Sequence, residues 1–230
     1  MSNLRMFSLL MLMLMLIPHS AFAQNQGNNC GSLENGFGPF DYRAERGKTD
    51  GSGTHEYKLH LVESTHFTAS VEALTRGNKA VDPGPDIDYT LRAFPNHHRA
   101  LMAVMRLGEK TKPRRPVGLR YDYDCYFERA VRFAPDDPIA RMIYATHLVK
   151  VDRQAEAVRH LDHATTLAAD SPFTHYNLGL IFHDMKMYDK SLARAHRAIE
   201  LGFPKKELRD LLTAAGQWRD PPAASTKAQD

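Results

Sequence analysis

The sequence has little of three features that many functional classes require: cysteine, net charge and long apolar runs. Two cysteines in 230 residues exclude a disulfide-rich scaffold and a multi-cysteine metal site. A formal net charge of +3 is too small for a strongly basic nucleic-acid-binding protein, so we expect no nucleic-acid partner. The longest apolar run, residues 7–17 with Ser8 included, has eleven residues. A membrane-spanning helix needs about 20, so we expect no stable membrane insertion.

The sequence also lacks the short motifs of common catalytic and cofactor sites. It contains no His-Glu-x-x-His, Gly-x-Ser-x-Gly or Cys-x-x-Cys pattern and no phosphate-binding Gly-Lys-Ser/Thr loop. We therefore expect no catalytic residue, no cofactor and no metal site. Histidine is in excess, with eleven after residue 23. His160 and His163 could share a metal, but no familiar ligand spacing includes them, and we favour solvated or capping histidines.

Residues 1–23 are typical of a cleaved signal peptide. The apolar run follows Arg5 and ends at Pro18, and Ala21-Phe22-Ala23 has the small-x-small pattern of a cleavage site. An uncleaved anchor is the alternative, but eleven apolar residues are too few to span a bilayer. We expect cleavage near Ala23-Gln24 and a periplasmic or secreted protein.

Export predicts a disulfide between Cys30 and Cys125, the only two cysteines. An exported thiol without a partner is usually a liability. Two free thiols are the alternative.

Residues 24–94 predict a small, irregular or mixed N-terminal region. Residues 24–56 are rich in turn-forming residues, and Tyr57–Val62 alternates enough to be a short strand or an extended arm. Ala69–Arg76 and Asp88–Phe94 are predicted as short helices, with a turn at residues 82–85 between them.

Beyond Pro95 the sequence becomes continuously helical and repeats at a fixed interval. Ala130, Ala164 and Ala198 are equally spaced, and Pro138 and Pro172, each of which opens a predicted helix, are separated by the same interval. A 34-residue period with two helices per unit is typical of a helical repeat protein.

The residues inside the period resemble those of tetratricopeptide-repeat (TPR) proteins. The unit from Pro172 has the pair Leu178-Gly179 with Phe182 three residues later, although Ser191 replaces an alanine of the second helix. The unit from Pro138 is similar, with Tyr144-Ala145 at the pair.

The resemblance implies an all-α fold, a TPR-like helix-turn-helix solenoid of about three units, preceded by the irregular region. Its parts are a degenerate unit at 95–137 with six extra residues in its central loop, units at 138–171 and 172–204, and a capping helix at 205–218, together spanning 95–218. Residues 219–230 are predicted to be a disordered tail. An unrelated helical bundle is the alternative.

In TPR stacks the first helix of each unit lines a concave groove that holds a partner peptide or helix. The groove-facing residues that the resemblance implies are Arg99, Met102 and Arg106 in the first unit, Ile139, Met142, Thr146, Val149 and Lys150 in the second, and Phe173, Tyr176, Leu180 and His183 in the third. The alternative is that the N-terminal segment covers the apolar residues from within. The basic run Lys110, Lys112, Arg114 and Arg115 could meet an acidic partner or anionic lipid, but a solvated loop is the interpretation that we favour.

The sequence thus predicts an exported, non-catalytic protein-interaction module that scaffolds or assembles components of the cell envelope. The alternative is an envelope enzyme or metal-binding protein with its site in residues 24–94 and the TPR units as a docking arm.

Overall fold

The structure is a computed structural model that describes residues 30–46, 48, 57–111 and 118–221. The predicted signal peptide, the basic residues Lys112, Arg114 and Arg115, and residues 222–230 of the predicted tail lie outside the described residues.

The described residues form eleven α-helices and no strand, which confirms the all-α fold class. No helix among them is both long and apolar enough to cross a lipid bilayer. The helices are α1 Tyr42–Glu45, α2 Lys58–His66, α3 Ala69–Glu72, α4 Gly84–Ala93, α5 His98–Thr111, α6 Tyr123–Phe133, α7 Pro138–Lys150, α8 Gln154–Leu167, α9 Pro172–Asp184, α10 Tyr188–Glu200 and α11 Glu207–Ala214.

The strand or extended arm predicted at Tyr57–Val62 is wrong, because this segment lies largely within α2. Leu59 and Val62 are three residues apart, so a helix places both on one face, where they pack with Phe94 in a buried cluster. The helix carries little overall amphipathic pattern, which explains why its short polar–apolar alternation could be interpreted as a strand.

The other helices of the N-terminal region have different bounds from those predicted. α4 begins at Gly84, inside the predicted turn, with Pro85 in its first turn where a missing N–H costs nothing. α3 ends at Glu72, earlier than predicted, and Leu74 has a φ of 57°. Ile87 and Leu91 of α4 belong to the main core cluster, so this region packs as part of the helical body.

Helices α5 to α10 form three consecutive pairs. In the second and third pairs, the same type of turn joins the two helices of the pair. Asp152 and Lys186 follow α7 and α9 at the same distance from the helix ends, and both have a left-handed backbone with φ near 60°. In each turn, the residue after the left-handed one donates its N–H to the carbonyl five residues earlier. Arg153 donates to Leu148, and Met187 donates to Phe182, both at 2.8 Å. These Schellman turns reverse the chain after α7 and α9.

Small residues bring the paired helices close together. Ala130, Ala164 and Ala198 are all buried. A Cβ added to Gly179 would lie 2.4 Å from Leu208 Cδ2, so α9 and α11 pack closely at this glycine and a larger residue would require the Leu208 side chain to shift. Ser191, which stands where the TPR pattern has an alanine, donates its hydroxyl to the Gly179 carbonyl at 2.8 Å.

The capping helix is shorter than the predicted 205–218, because α11 ends at Ala214. The chain then turns at Gly216, where φ is 68°. Trp218 nevertheless packs against the buried cluster that α9, α10 and α11 share.

Residues 30–46, here called the strap, are fastened at both ends. The disulfide between Cys30 and Cys125 is formed, which confirms that prediction. The buried Arg129 guanidinium donates to the carbonyls of Cys30 at 3.0 Å and Ser32 at 2.5 Å. At the other end Tyr42 is buried and its N–H donates to Asn96 Oδ1 at 3.0 Å.

Removing the disulfide should lower the free energy of unfolding without changing the fold. The cysteines are 95 residues apart, and closing so long a loop constrains the unfolded chain by about 4 kcal/mol. We expect the Cys30→Ser/Cys125→Ser variant to show a lower urea midpoint with native far-ultraviolet circular dichroism. Reductant should shift the wild-type midpoint and leave that of the variant unchanged. Equal midpoints for oxidised and reduced wild type would contradict this expectation.

The shared turn makes a second prediction about stability. Lys186 is exposed and holds a left-handed backbone, so Lys186→Gly should raise the free energy of unfolding by about 1 kcal/mol. Lys190→Gly, inside α10, is the matched control and should lower it by about 1 kcal/mol. Urea unfolding measures both. A loss of stability in both variants would show that the turn does not strain Lys186.

Candidate protein-binding groove

A groove of about 740 Å³ crosses the first helices of the three pairs, α5, α7 and α9. These helices lie side by side, with α7 packed between α5 and α9. The residues that line it are Arg46, His98, Arg99, Met102, Ile139, Met142, Ile143, Thr146, Ser171, Phe173, Thr174, Asn177, Leu180 and Ile181.

The groove brings together seven of the twelve residues that the sequence predicted there. They are Arg99, Met102, Ile139, Met142, Thr146, Phe173 and Leu180. Spacings of three and four residues keep these side chains on one face of each helix. Phe173 and Met102 remain 55% and 41% exposed, although both are large and apolar.

Two predicted residues of α9 do not line the groove, Tyr176 and His183. Tyr176 is buried, stacks near Phe203 with ring centroids 4.5 Å apart, and donates its hydroxyl to Glu207 Oε2 at 2.9 Å. His183 lies near the ring of Tyr188, at 5.6 Å between centroids. Both therefore contact residues of α10, of α11 or of the segment between them.

The other three predicted residues that miss the groove are held elsewhere. Arg106 donates to the Glu72 carbonyl at 3.0 Å, toward α3. Lys150 lies at the end of α7 and pairs with Glu109 at 2.8 Å. Val149 packs against the main core.

Sequence reasoning missed seven lining residues, which are Arg46, His98, Ile143, Ser171, Thr174, Asn177 and Ile181. Ile143, Asn177 and Ile181 each lie four residues after another lining residue, so continuing the helical spacing would have found them. Arg46 belongs to the strap, and no repeat spacing could have placed it there. Of the described residues before α5, Arg46 is the only one that lines the groove, so the described part of the strap does not fill it.

A buried carboxylate, Asp137, organises the end of the groove near α5. It caps α7 by accepting the N–H groups of Ile139 and Ala140, both at 3.0 Å. It also hydrogen-bonds His98 Nε2 at 2.8 Å and Asn96 Nδ2 at 3.0 Å. Burial alone would raise the pKa of Asp137. The hydrogen bonds to its carboxylate outweigh burial, so the pKa lies below the usual value of an aspartate.

The two arginines at this end differ in whether a carboxylate pairs with them. Arg99 is paired with Glu72 and Glu63, and the hydrogen bond to Glu72 raises the pKa of Arg99. Arg46 is exposed and has no ion pair among the described residues. No carboxylate lines the groove within the described part of the chain. The groove is therefore apolar along its length and positively charged at one end.

Several of the surplus histidines are used in packing. His66 hydrogen-bonds the buried Asp86 at 2.8 Å, and the buried His97 hydrogen-bonds Glu63 at 2.9 Å. Nowhere in the described ranges do three or more His, Cys, Asp or Glu side chains converge to hold a metal. His160 packs against the Tyr144 ring at 4.5 Å, and burial lowers the pKa of His160 to about 4.

His160 should make stability depend on pH. An unfolded histidine binds a proton near pH 6.5, whereas folded His160 stays neutral to about pH 4. Between these values the unfolded state binds more protons, so the free energy of unfolding should fall as pH falls. We expect His160→Phe to reduce that fall, as measured by urea unfolding between pH 7 and 4. The exposed His163, on the same helix, is the control: His163→Phe should behave like wild type. An unchanged pH dependence in His160→Phe would contradict the expectation.

Comparison with known proteins does not supply a function for the groove. No protein-family model matches the chain, and no curated protein matches it significantly. The TPR resemblance therefore depends on the 34-residue spacing and on the residues at the helix pairs. Function has to be argued from the geometry and charge of the groove itself.

Proposed function

We propose that the chain is an exported, non-catalytic protein-interaction module that holds a segment of a partner protein in its groove. Scaffolding or assembly in the cell envelope would be its setting. The observation that carries the proposal is the row of apolar side chains along the groove, with Phe173 and Met102 exposed at its surface. Exposed apolar surface that is concave and rimmed by polar residues is typical of a binding site.

The shape of the groove favours a polypeptide segment over a compact small molecule. Neighbouring helix axes lie about 8–10 Å apart, so a path from α5 to α9 is roughly 20 Å long. An extended chain rises about 3.3 Å per residue, so about six residues would cross the three helices. Apolar anchors with hydroxyl and amide groups beside them, such as Thr146 and Asn177, suit side chains and backbone together.

A TPR-like solenoid of three units is part of the same proposal. It is supported by the identical turns at Asp152 and Lys186 and by the buried alanines at the 34-residue interval. The side-by-side order of α5, α7 and α9 is what a stack of helix pairs requires.

Export is supported by two features that do not depend on each other. One is the signal-like sequence at residues 1–23. The other is the disulfide between Cys30 and Cys125, because disulfides persist mainly in oxidising compartments. We propose a periplasmic or secreted location.

The proposal can be tested with one charged substitution in the groove. Phe173 lies in the first turn of α9, where an added carboxylate suits the helix dipole, so Phe173→Asp should fold. We expect it to weaken capture of a partner from cell-envelope extract by about tenfold or more, because Asp cannot replace an aromatic side chain that the partner would cover on binding.

Leu61→Asp provides the matched control. Leu61 is also exposed and in the first turn of its helix, α2, but does not line the groove. It should capture the partner as wild type does. Equal capture by wild type, Phe173→Asp and Leu61→Asp would place the interface elsewhere.

A further inference from the structure

The charge of the groove is concentrated on a residue that the repeat does not supply. Arg46 follows α1, at the end of the strap, and its side chain is exposed. The nearby Arg43 forms ion pairs with Asp41 at 2.6 Å and with Asp136 at 3.0 Å. Arg99 is likewise paired with Glu72 and Glu63. Among the described residues that line the groove, Arg46 is the cation left without a carboxylate.

The opposite end of the groove has a different character. Phe173, Leu180 and Ile181 on α9 provide apolar surface, and Asn177 and Thr174 provide neutral polar groups. The groove therefore has a direction, from a cation beside α5 to an uncharged apolar surface on α9.

Beyond the predicted signal peptide, the parts of the given sequence outside the described residues are poor in apolar side chains. The parts outside the described residues are 24–29, 47, 49–56, 112–117 and 222–230, and their only large apolar residue is Val117. An apolar groove that crosses three helices needs several apolar side chains to fill it. The occupant that we infer is a segment of another protein.

We propose that the groove selects a partner segment by polarity: an Asp or Glu side chain at one end pairs with Arg46, and apolar side chains follow toward α9. The inference rests on the proposed function and adds the chemistry and the orientation of the occupant. A guanidinium can bind one carboxylate through two parallel hydrogen bonds, which fixes geometry as well as charge. A side-chain carboxylate is favoured over a chain terminus, because the other polar groups at this end are already bonded: His98 Nε2 to Asp137, and the Arg99 guanidinium to Glu72 and Glu63.

The test uses a phage-displayed library of random 12-residue peptides, whose members carry no free C-terminus. The library is selected on the full mature chain, on Phe173→Asp and on Arg46→Glu. Wild type should enrich peptides with apolar residues and an Asp or Glu toward one end. Arg46→Glu should enrich Lys or Arg at that place. A synthetic peptide from the wild-type pool should bind Arg46→Glu at least about tenfold more weakly.

Arg159→Glu is the matched control, because Arg159 is an exposed arginine of α8 outside the groove. It should select and bind the same peptides as wild type. If wild type enriches no peptides that Phe173→Asp does not also enrich, the proposed function is wrong, and this inference is wrong with it. If wild type enriches apolar peptides without an acidic residue, or if Arg46→Glu retains the same pool, groove binding stands and the inferred polarity is overturned.

Discussion

The groove and the strap both depend on one buried carboxylate, that of Asp137. It has no exposed surface, yet it caps α7 and hydrogen-bonds His98 on α5 and Asn96 just before it. Asn96 in turn accepts the N–H of Tyr42 and donates to Asp41. A buried carboxylate is stable only when it is fully hydrogen-bonded, so the strap, α5 and α7 are fixed relative to one another.

The repeat part of the fold could be predicted because its information is local and periodic. Pro138 and Pro172 start α7 and α9 as predicted, since proline suits a first helical turn. The positions of Tyr176 and His183 outside the groove could not be predicted, because they depend on contacts with α10, α11 and the segment between them. Tyr176 is buried against Phe203 and Glu207 instead of lining the groove, although its spacing from Phe173 favoured a groove position.

The N-terminal region was predicted poorly because long-range hydrogen bonds hold it together. A sequence pattern cannot show that His66 will pair with Asp86, or His97 with Glu63. The hydrogen bond from His97 lowers the pKa of Glu63, although burial opposes it, which favours the ionised carboxylate in the fold. The excess of histidine, which gave no ligand spacing, is thus partly explained by cross-helix pairs that join α2 to α4 and to the start of α5.

The two anchors of the strap affect different properties. The disulfide acts on the stability of the whole fold, whereas the anchor at Tyr42 acts on the geometry of the groove. The disulfide at Cys30 closes a loop of 95 residues and therefore acts on the whole fold. Arg46 lies one helical turn beyond Tyr42 and donates its N–H to the Tyr42 carbonyl at 2.9 Å. Its position is set locally, by the hydrogen bond between Tyr42 and Asn96, and not by the cysteine at the far end of the strap. The cation of the groove thus depends on the Asp137 network, whereas the disulfide adds to the free energy of unfolding of the whole chain.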